Sequence, residues 1–110
     1  KKVDKIVAKL FKDEEIEKEN QTIEIINTTQ VMGLGERLAR LITNMGGNVI
    51  QVSTENNPRK ESIILYDGKK SFTTERLSKV LGFRTSETSK QSIADITIVI
   101  GEDNKDPLSF

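Results

Sequence analysis

TIEIINTTQVMGLGERLARLITNM, residues 22–45, carries a strand, a polar turn and a helix in direct succession. Thr22 to Ile26 is rich in β-branched residues, which fit a pleated, half-buried surface, so it reads as a strand. Asn27, Thr28 and Thr29 end it, because their side chains bond the local backbone and favour a turn. After Gly33, the residues Leu34, Leu38, Leu41, Ile42 and Met45 recur at helical spacing on one face. Gly46-Gly47 stops that helix, since glycine takes the left-handed C-cap conformation without a Cβ clash. Val49 to Val52 opens a second strand. The unit is strand, helix, strand, and the rest of the chain is expected to cover it.

Upstream, Lys1 to Glu19 reads as an amphipathic helix. Val3, Ile6, Val7, Leu10 and Phe11 form its apolar stripe, opposite Lys2, Lys5, Lys9 and Lys12. The acidic run DEEIEKEN, 13–20, reads as a solvated connector. Downstream, STENNPRKES is a polar loop. Ser62 to Tyr66 is a third strand, closed by Asp67-Gly68. A second helix spans roughly Ser71 to Leu81, with Leu77, Val80 and Leu81 inward and Gly82 as its cap. Arg84 to Thr88 is either a short edge strand or a loop. Ala94 to Ile100 is the last strand, with Ile96, Ile98 and Ile100 on one face and Val99 on the other. Residues 105–110 are read as a frayed tail. The expected fold is α+β: a two-layer α/β sandwich of order βαββαβ, ferredoxin-like in strand order, with an extra N-terminal helix. The divisions are 1–20 for the lead-in, 21–104 for the domain and 105–110 for the tail.

At 110 residues the chain makes one domain with a modest core. Seventeen basic and seventeen acidic residues cancel, which argues against a nucleic-acid binder with its basic excess. Cysteine and histidine are both absent, so thiolate and imidazole metal sites, Cys nucleophiles and His-based triads are excluded. Absence of cysteine fits an exported bacterial domain or a cytosolic one. No apolar run approaches the roughly 20 residues that span a bilayer. The chain begins mid-pattern without Met, as expected of a piece of a longer protein.

The loop Asn27 to Gly35 is the expected ligand-binding site, with Asn27, Thr28, Thr29, Gly33 and Gly35 as its residues. It joins a strand end to a helix N-terminus, where free N–H groups favour a phosphate, a carboxylate or a sugar hydroxyl. The alternative is that Asn27 and the threonines satisfy the turn and cap the helix. Arg37 and Arg40 either hold a polymer phosphate or form a solvated helix face. Asn57-Pro58-Arg59-Lys60 is either a small basic contact or a plain loop tip. Asp95, Glu102, Asp103 and Asp106 make an acidic ending whose spacing matches no EF-hand loop, so no metal is expected. Asp95 is expected to fix the turn before the last strand. No catalytic constellation and no cofactor motif is present.

Taken together, these residues resemble the LytR C-terminal domain, the module that follows the catalytic domain of LytR–CpsA–Psr cell-envelope proteins. The likeness runs through Ile25-Ile26-Asn27, Thr29, Gly33-Leu34, Leu38, Leu41 and Gly46. It continues through Ile63 to Tyr66, Leu77, Leu81 and Gly82, and ends in Ala94-Asp95-Ile96, Val99, Gly101 and Asp103. The lead-in carries it too, in Leu10-Phe11 and Asp13. The family's Asn-Gly is Asn27-Thr28 here, and its Gly-Leu-Ala is Gly33-Leu34-Gly35.

The resemblance implies a non-catalytic, extracytoplasmic accessory domain of a membrane-anchored bacterial protein that attaches glycopolymers to the cell wall. The neighbouring catalytic domain would be the phosphotransferase. Expected partners are a cell-wall glycopolymer, peptidoglycan or the adjacent catalytic domain, met through the Asn27 to Gly35 loop or the exposed sheet face. A nucleic acid is not expected, and membrane contact would come only through segments outside this chain. Pairing with a second copy through an exposed edge strand is left open. Two alternatives stand beside this: a transcriptional attenuator, as the family's historical name suggests, and an enzyme acting on a glycan or phosphate group.

Overall fold

The computed structural model describes residues 12–89, 92–106 and 110. In chain order the elements are α1 (Glu14–Glu19), β1 (Thr22–Asn27), α2 (Leu34–Met45), β2 (Asn48–Thr54), β3 (Ile63–Tyr66), α3 (Phe72–Leu81), β4 (Arg84–Glu87) and β5 (Ile96–Ile100). A short 3-10 turn, Glu102–Asn104, follows β5. The apolar stripe expected over residues 1–11 lies outside the described residues.

The strands form one mixed sheet of order β2-β1-β5-β3-β4. β1 pairs parallel with both β2 and β5, β3 pairs antiparallel with β5, and β4 pairs parallel with β3. The α+β class is as expected. The ferredoxin-like strand order is not: that arrangement splits each strand–helix–strand unit around another strand. Here α2 joins the neighbours β1 and β2, and α3 joins the neighbours β3 and β4. The last strand enters between the two units.

Packing explains why α2 sits tightly on its own two strands. Gly35 is buried, and a Cβ there would come within 2.8 Å of Val52 Cγ1. Glycine is what lets the helix lie this close to β2. The β1–β2 register shifts between Ile23 and Glu24, so Ile23 pairs with Val49 but Glu24 with Gln51. Ile50 is the extra residue of this bulge. It changes the parity of the strand, so Val49 and Val52, three apart, both pack on the core.

One face of the sheet is covered. Ile23 and Ile25 of β1, Ile64 of β3 and Ile96, Ile98 and Ile100 of β5 meet Leu34, Leu38, Leu41, Ile42 and Met45 of α2 and Leu77, Val80 and Leu81 of α3. Each fully buried aliphatic side chain contributes on the order of 1.5–3 kcal/mol. Thr73, at 0% exposure, completes the inner stripe of α3, while Phe72 is half-exposed.

Two expectations need correction. The acidic run is not a solvated connector: it forms α1, whose Ile16 is 1% exposed and belongs to the core. Asp13 starts this helix by accepting from the amides of Glu15 and Ile16, and its own amide donates to Met45 O at 2.7 Å. An ion pair from Arg76 Nε to Asp13 Oδ2, at 3.3 Å, ties α1 to α3. Phe110, in the segment read as a frayed tail, is the second: it is buried and meets Phe83 edge-on, with ring centroids 6.2 Å apart. Such a contact adds to the area an aromatic ring buries.

Glu19, the last residue of α1, caps the next helix. Its carboxylate accepts from the amides of Phe72 and Thr73 and from Thr73 Oγ1, while Ser71 Oγ accepts from Thr74 N. Partial desolvation pushes the Glu19 carboxyl upward, but the bonds from Thr73 and Phe72 outweigh it and hold the group below its ordinary value. A lowered folded-state pKa gives stability that is fully present above the unfolded value and is lost as pH falls through the folded one. Glu19→Gln is therefore expected to cost roughly 1 kcal/mol at neutral pH, kept small by solvent screening. The gap to the unmodified chain should close as pH drops below the usual carboxylate range. Urea unfolding of both proteins across that range checks this.

Candidate functional site

Among the described residues, no helix covers the second sheet face. The side chains that alternate with the buried ones, Glu24 and Ile26 of β1 and Thr97 and Val99 of β5, point to it, as β-strand geometry requires. Leu65 of β3 and Gln51 of β2 extend this surface, and Tyr66 lines it at the end of β3.

Topology turns the face into a trough. β2 and β3 are separated by β1 and β5, so the loop 55–62 must cross the C-terminal ends of those two strands. Its bonds mark the path: Glu55 N to Asn27 O at 3.0 Å, Arg59 N to Thr28 Oγ1 at 3.3 Å, and Glu102 N to Arg59 O at 2.8 Å. A Cβ at Gly101 would lie 2.6–2.9 Å from the backbone of Glu61 and Ser62, so the crossing depends on glycine there. Ser62 Oγ locks it, donating to Asp103 Oδ1 at 2.7 Å and accepting from Gly101 N at 2.8 Å. At the opposite end, the segment from β4 to β5 crosses the end of β3, with Thr88 N donating to Tyr66 O at 2.7 Å.

Between these two walls lies a cavity of about 870 Å³. Ile26, Leu65 and Val99 give it an apolar floor. Gln21, Gln51, Asn57, Thr97 and Tyr66 supply hydrogen-bonding groups. Its charged residues are Glu24, Glu55, Asp67 and Asp95 against Arg59 and Lys69, an excess of two negative charges among the described lining residues. Ile93, an exposed apolar side chain, stands on the rim. A planar-polar, partly apolar trough of this kind suits sugar hydroxyls, amides and aliphatic groups, and repels dense negative charge.

The loop Asn27 to Gly35 is built differently. Asn27 is buried; its Oδ1 accepts from Thr29 N at 3.0 Å and Thr29 Oγ1 at 2.7 Å, and its Nδ2 donates to Val31 O at 2.9 Å. Thr29 Oγ1 accepts from Val31 N. Thr28 Oγ1 donates to Ile100 O at 2.7 Å. These side chains hold the turn together, and Thr28 alone of the five expected site residues also reaches the trough. Among the described residues only Asn20 is a non-glycine with positive φ, so Thr28, where the resembling family carries glycine, takes an ordinary conformation. Gly33 caps α2 at φ +82 without a side-chain bond, and Gly35 serves helix packing.

The remaining polar residues are scattered. Asp95 Oδ2 accepts from Thr22 N and Thr22 Oγ1 at the start of β5, fixing that turn as expected. Asp103 lies past the other end of the same strand, so the acidic residues do not converge. Among the described residues, no group of three or more His, Cys, Asp or Glu side chains is placed to hold a metal ion. Arg37 and Arg40 sit on the exposed side of α2. Of the basic loop tip, Asn57 and Arg59 line the trough. Glu24, Gln51, Leu65 and Tyr66 were not singled out by the sequence; the signal for Glu24 was its place between two buried isoleucines.

A family model described as "LytR cell envelope-related transcriptional attenuator" matches residues 20–103. Among solved structures, the solution structure of the C-terminal domain of RV0431 is similar, with 16% identity, a TM-score of 0.55, and 74% of this chain and 72% of that chain covered. That likeness concerns the fold alone. No curated protein matches the chain. No helix among the described residues is long and apolar enough to cross a membrane.

The turn that leads from the open face into α2 makes a direct prediction. Asn27→Ala would leave the Thr29 hydroxyl and the Val31 carbonyl without their buried partner. A loss of about 2 kcal/mol is expected, measured as unfolding free energy in urea. An unchanged value would mean that Asn27 does not hold the turn.

Proposed function

Because the chain belongs to the LytR cell envelope-related transcriptional attenuator family, we propose that it is a non-catalytic accessory domain, placed outside the cytoplasmic membrane, that holds its parent protein against peptidoglycan through the open sheet face. The observation that carries this is the composition of the trough. It combines an aliphatic floor with amide and hydroxyl groups on the scale of a few sugar or amino-acid units.

Charge separates peptidoglycan from the other wall polymers. The described lining carries four carboxylates and two cations, so an anionic glycopolymer would meet net repulsion on this face. The same argument, with the zero net charge of the whole chain, opposes a nucleic-acid role despite the attenuator in the family's name. A non-enzymatic role accords with a chain that has neither cysteine nor histidine to supply a nucleophile or a general base of those types. The turn at Asn27 to Thr29 takes part by shaping the end of the trough, with Thr28 as its contribution to the surface.

Co-sedimentation with purified sacculi, before and after chemical removal of their attached anionic polymers, tests the reading. Retention should survive stripping, and rise as repulsion is removed. Retention that vanishes with the polymers, or none on either preparation, would contradict it.

A further inference from the structure

We infer that the middle of the trough is a subsite for a primary ammonium group on a short aliphatic stem, with Glu24 as its counter-charge. The source is the free amino group of a diamino-acid residue in a peptidoglycan stem peptide, so the inference rests on the peptidoglycan reading above.

Glu24 stands on the open face of β1, paired in register with Thr97 of β5, which in turn faces Leu65 of β3. Its Oε1 accepts from Ser92 Oγ at 2.9 Å and from Thr97 Oγ1 at 3.4 Å, and its Oε2 accepts from Gln51 Nε2 at 3.4 Å. These donors are neutral, and two of the three contacts are long. A carboxylate offers about four acceptor sites, so room for a charged donor is left. Ion pairs among the described residues include Lys12 with Glu17, Arg76 with Asp13, Arg84 with Glu61 and Lys105 with Glu102. None of these involves Glu24. Neutral donors hold the carboxylate in place without neutralising it, which is the arrangement a cation completes with a charge-assisted hydrogen bond.

The surroundings fix the kind of cation. Ile26 and Val99 pair with each other one pleat repeat further along the same two strands, about 7 Å away. Leu65 flanks them. An aliphatic stem of three or four carbons lying over these side chains would place its ammonium at Glu24, in the way lysine stems cover apolar surface while the charge stays in a polar setting. The other lining carboxylates, Glu55, Asp67 and Asp95, outnumber the lining cations Arg59 and Lys69 and leave the field negative.

The test uses the full chain and stripped sacculi, either native or N-acetylated so that their free amines are neutral. Acetylation should lower retention of the unmodified chain by about threefold to tenfold. Glu24→Gln should lower retention on native sacculi by a similar factor and should be indifferent to acetylation. Glu87→Gln, a charge change on β4 outside the trough, should behave like the unmodified chain. Equal retention on native and acetylated sacculi, or a Glu24→Gln protein that still responds to acetylation, would overturn the ammonium subsite and leave the peptidoglycan reading standing. No retention of the unmodified chain on native sacculi would overturn both. The comparison of the two sacculus preparations needs no variant, so a misfolded Glu24→Gln protein would not rescue the inference.

Discussion

The last strand has to enter between the first and the third. β5 pairs parallel with β1 on one side and antiparallel with β3 on the other, so it joins two strand–helix–strand units that run in opposite directions. Its Ile96, Ile98 and Ile100 carry the centre of the core. Strand insertion also forces each connection between the units to pass across strand ends, because loops do not thread through a paired sheet. The loop 55–62 crosses two strand ends, and the segment before β5 crosses one. Those crossings are the walls of the trough. The covered face and the shape of the open face therefore follow from one hydrogen-bonding constraint.

Several small features serve that constraint. Gly101 has no Cβ because the Glu61 backbone occupies the space. Ser62, buried at the crossing, gains both a donor and an acceptor partner, as a buried hydroxyl must. Asp95 and Thr22 align the starts of β5 and β1 through bonds to backbone and side chain. The helix layer has a corresponding lock. α1 is too short to be stable alone, yet Ile16, the Asp13–Arg76 pair and the Glu19 cap fasten it to α2 and α3.

Elements were legible in the sequence because their signals are local. Helical spacing gave the inner faces of α2 and α3, Gly46 and Gly82 gave their ends, and alternation gave the two faces of β5. Strand order was not legible, since it depends on pairings between residues some seventy positions apart, such as Ile25 with Ile98. The bulge at Ile50 hid the parity of β2. In α1, the seven polar residues of the run 13–20 masked the one apolar side chain that matters, Ile16. Phe110 gave no sign of its ring contact with Phe83, because a single aromatic carries no period. The same limit held for the surface. The Asn-Thr-Thr turn drew attention because such residues bond locally, and here that bonding is directed inward. Glu24, Gln51, Leu65 and Thr97 come from four strands, so only the folded sheet assembles them.

On the proposed reading, the contact surface is the open sheet face, not the helix layer or the Asn27 to Gly35 turn. Amide NMR of the isotopically labelled chain, titrated with soluble muropeptides from peptidoglycan digestion, tests it most directly. Shift changes should centre on Glu24, Ile26, Leu65, Thr97 and Val99 and extend into the flanking loops. Changes confined to the exposed side of α2 or to residues 29–35, with the trough silent, would contradict it.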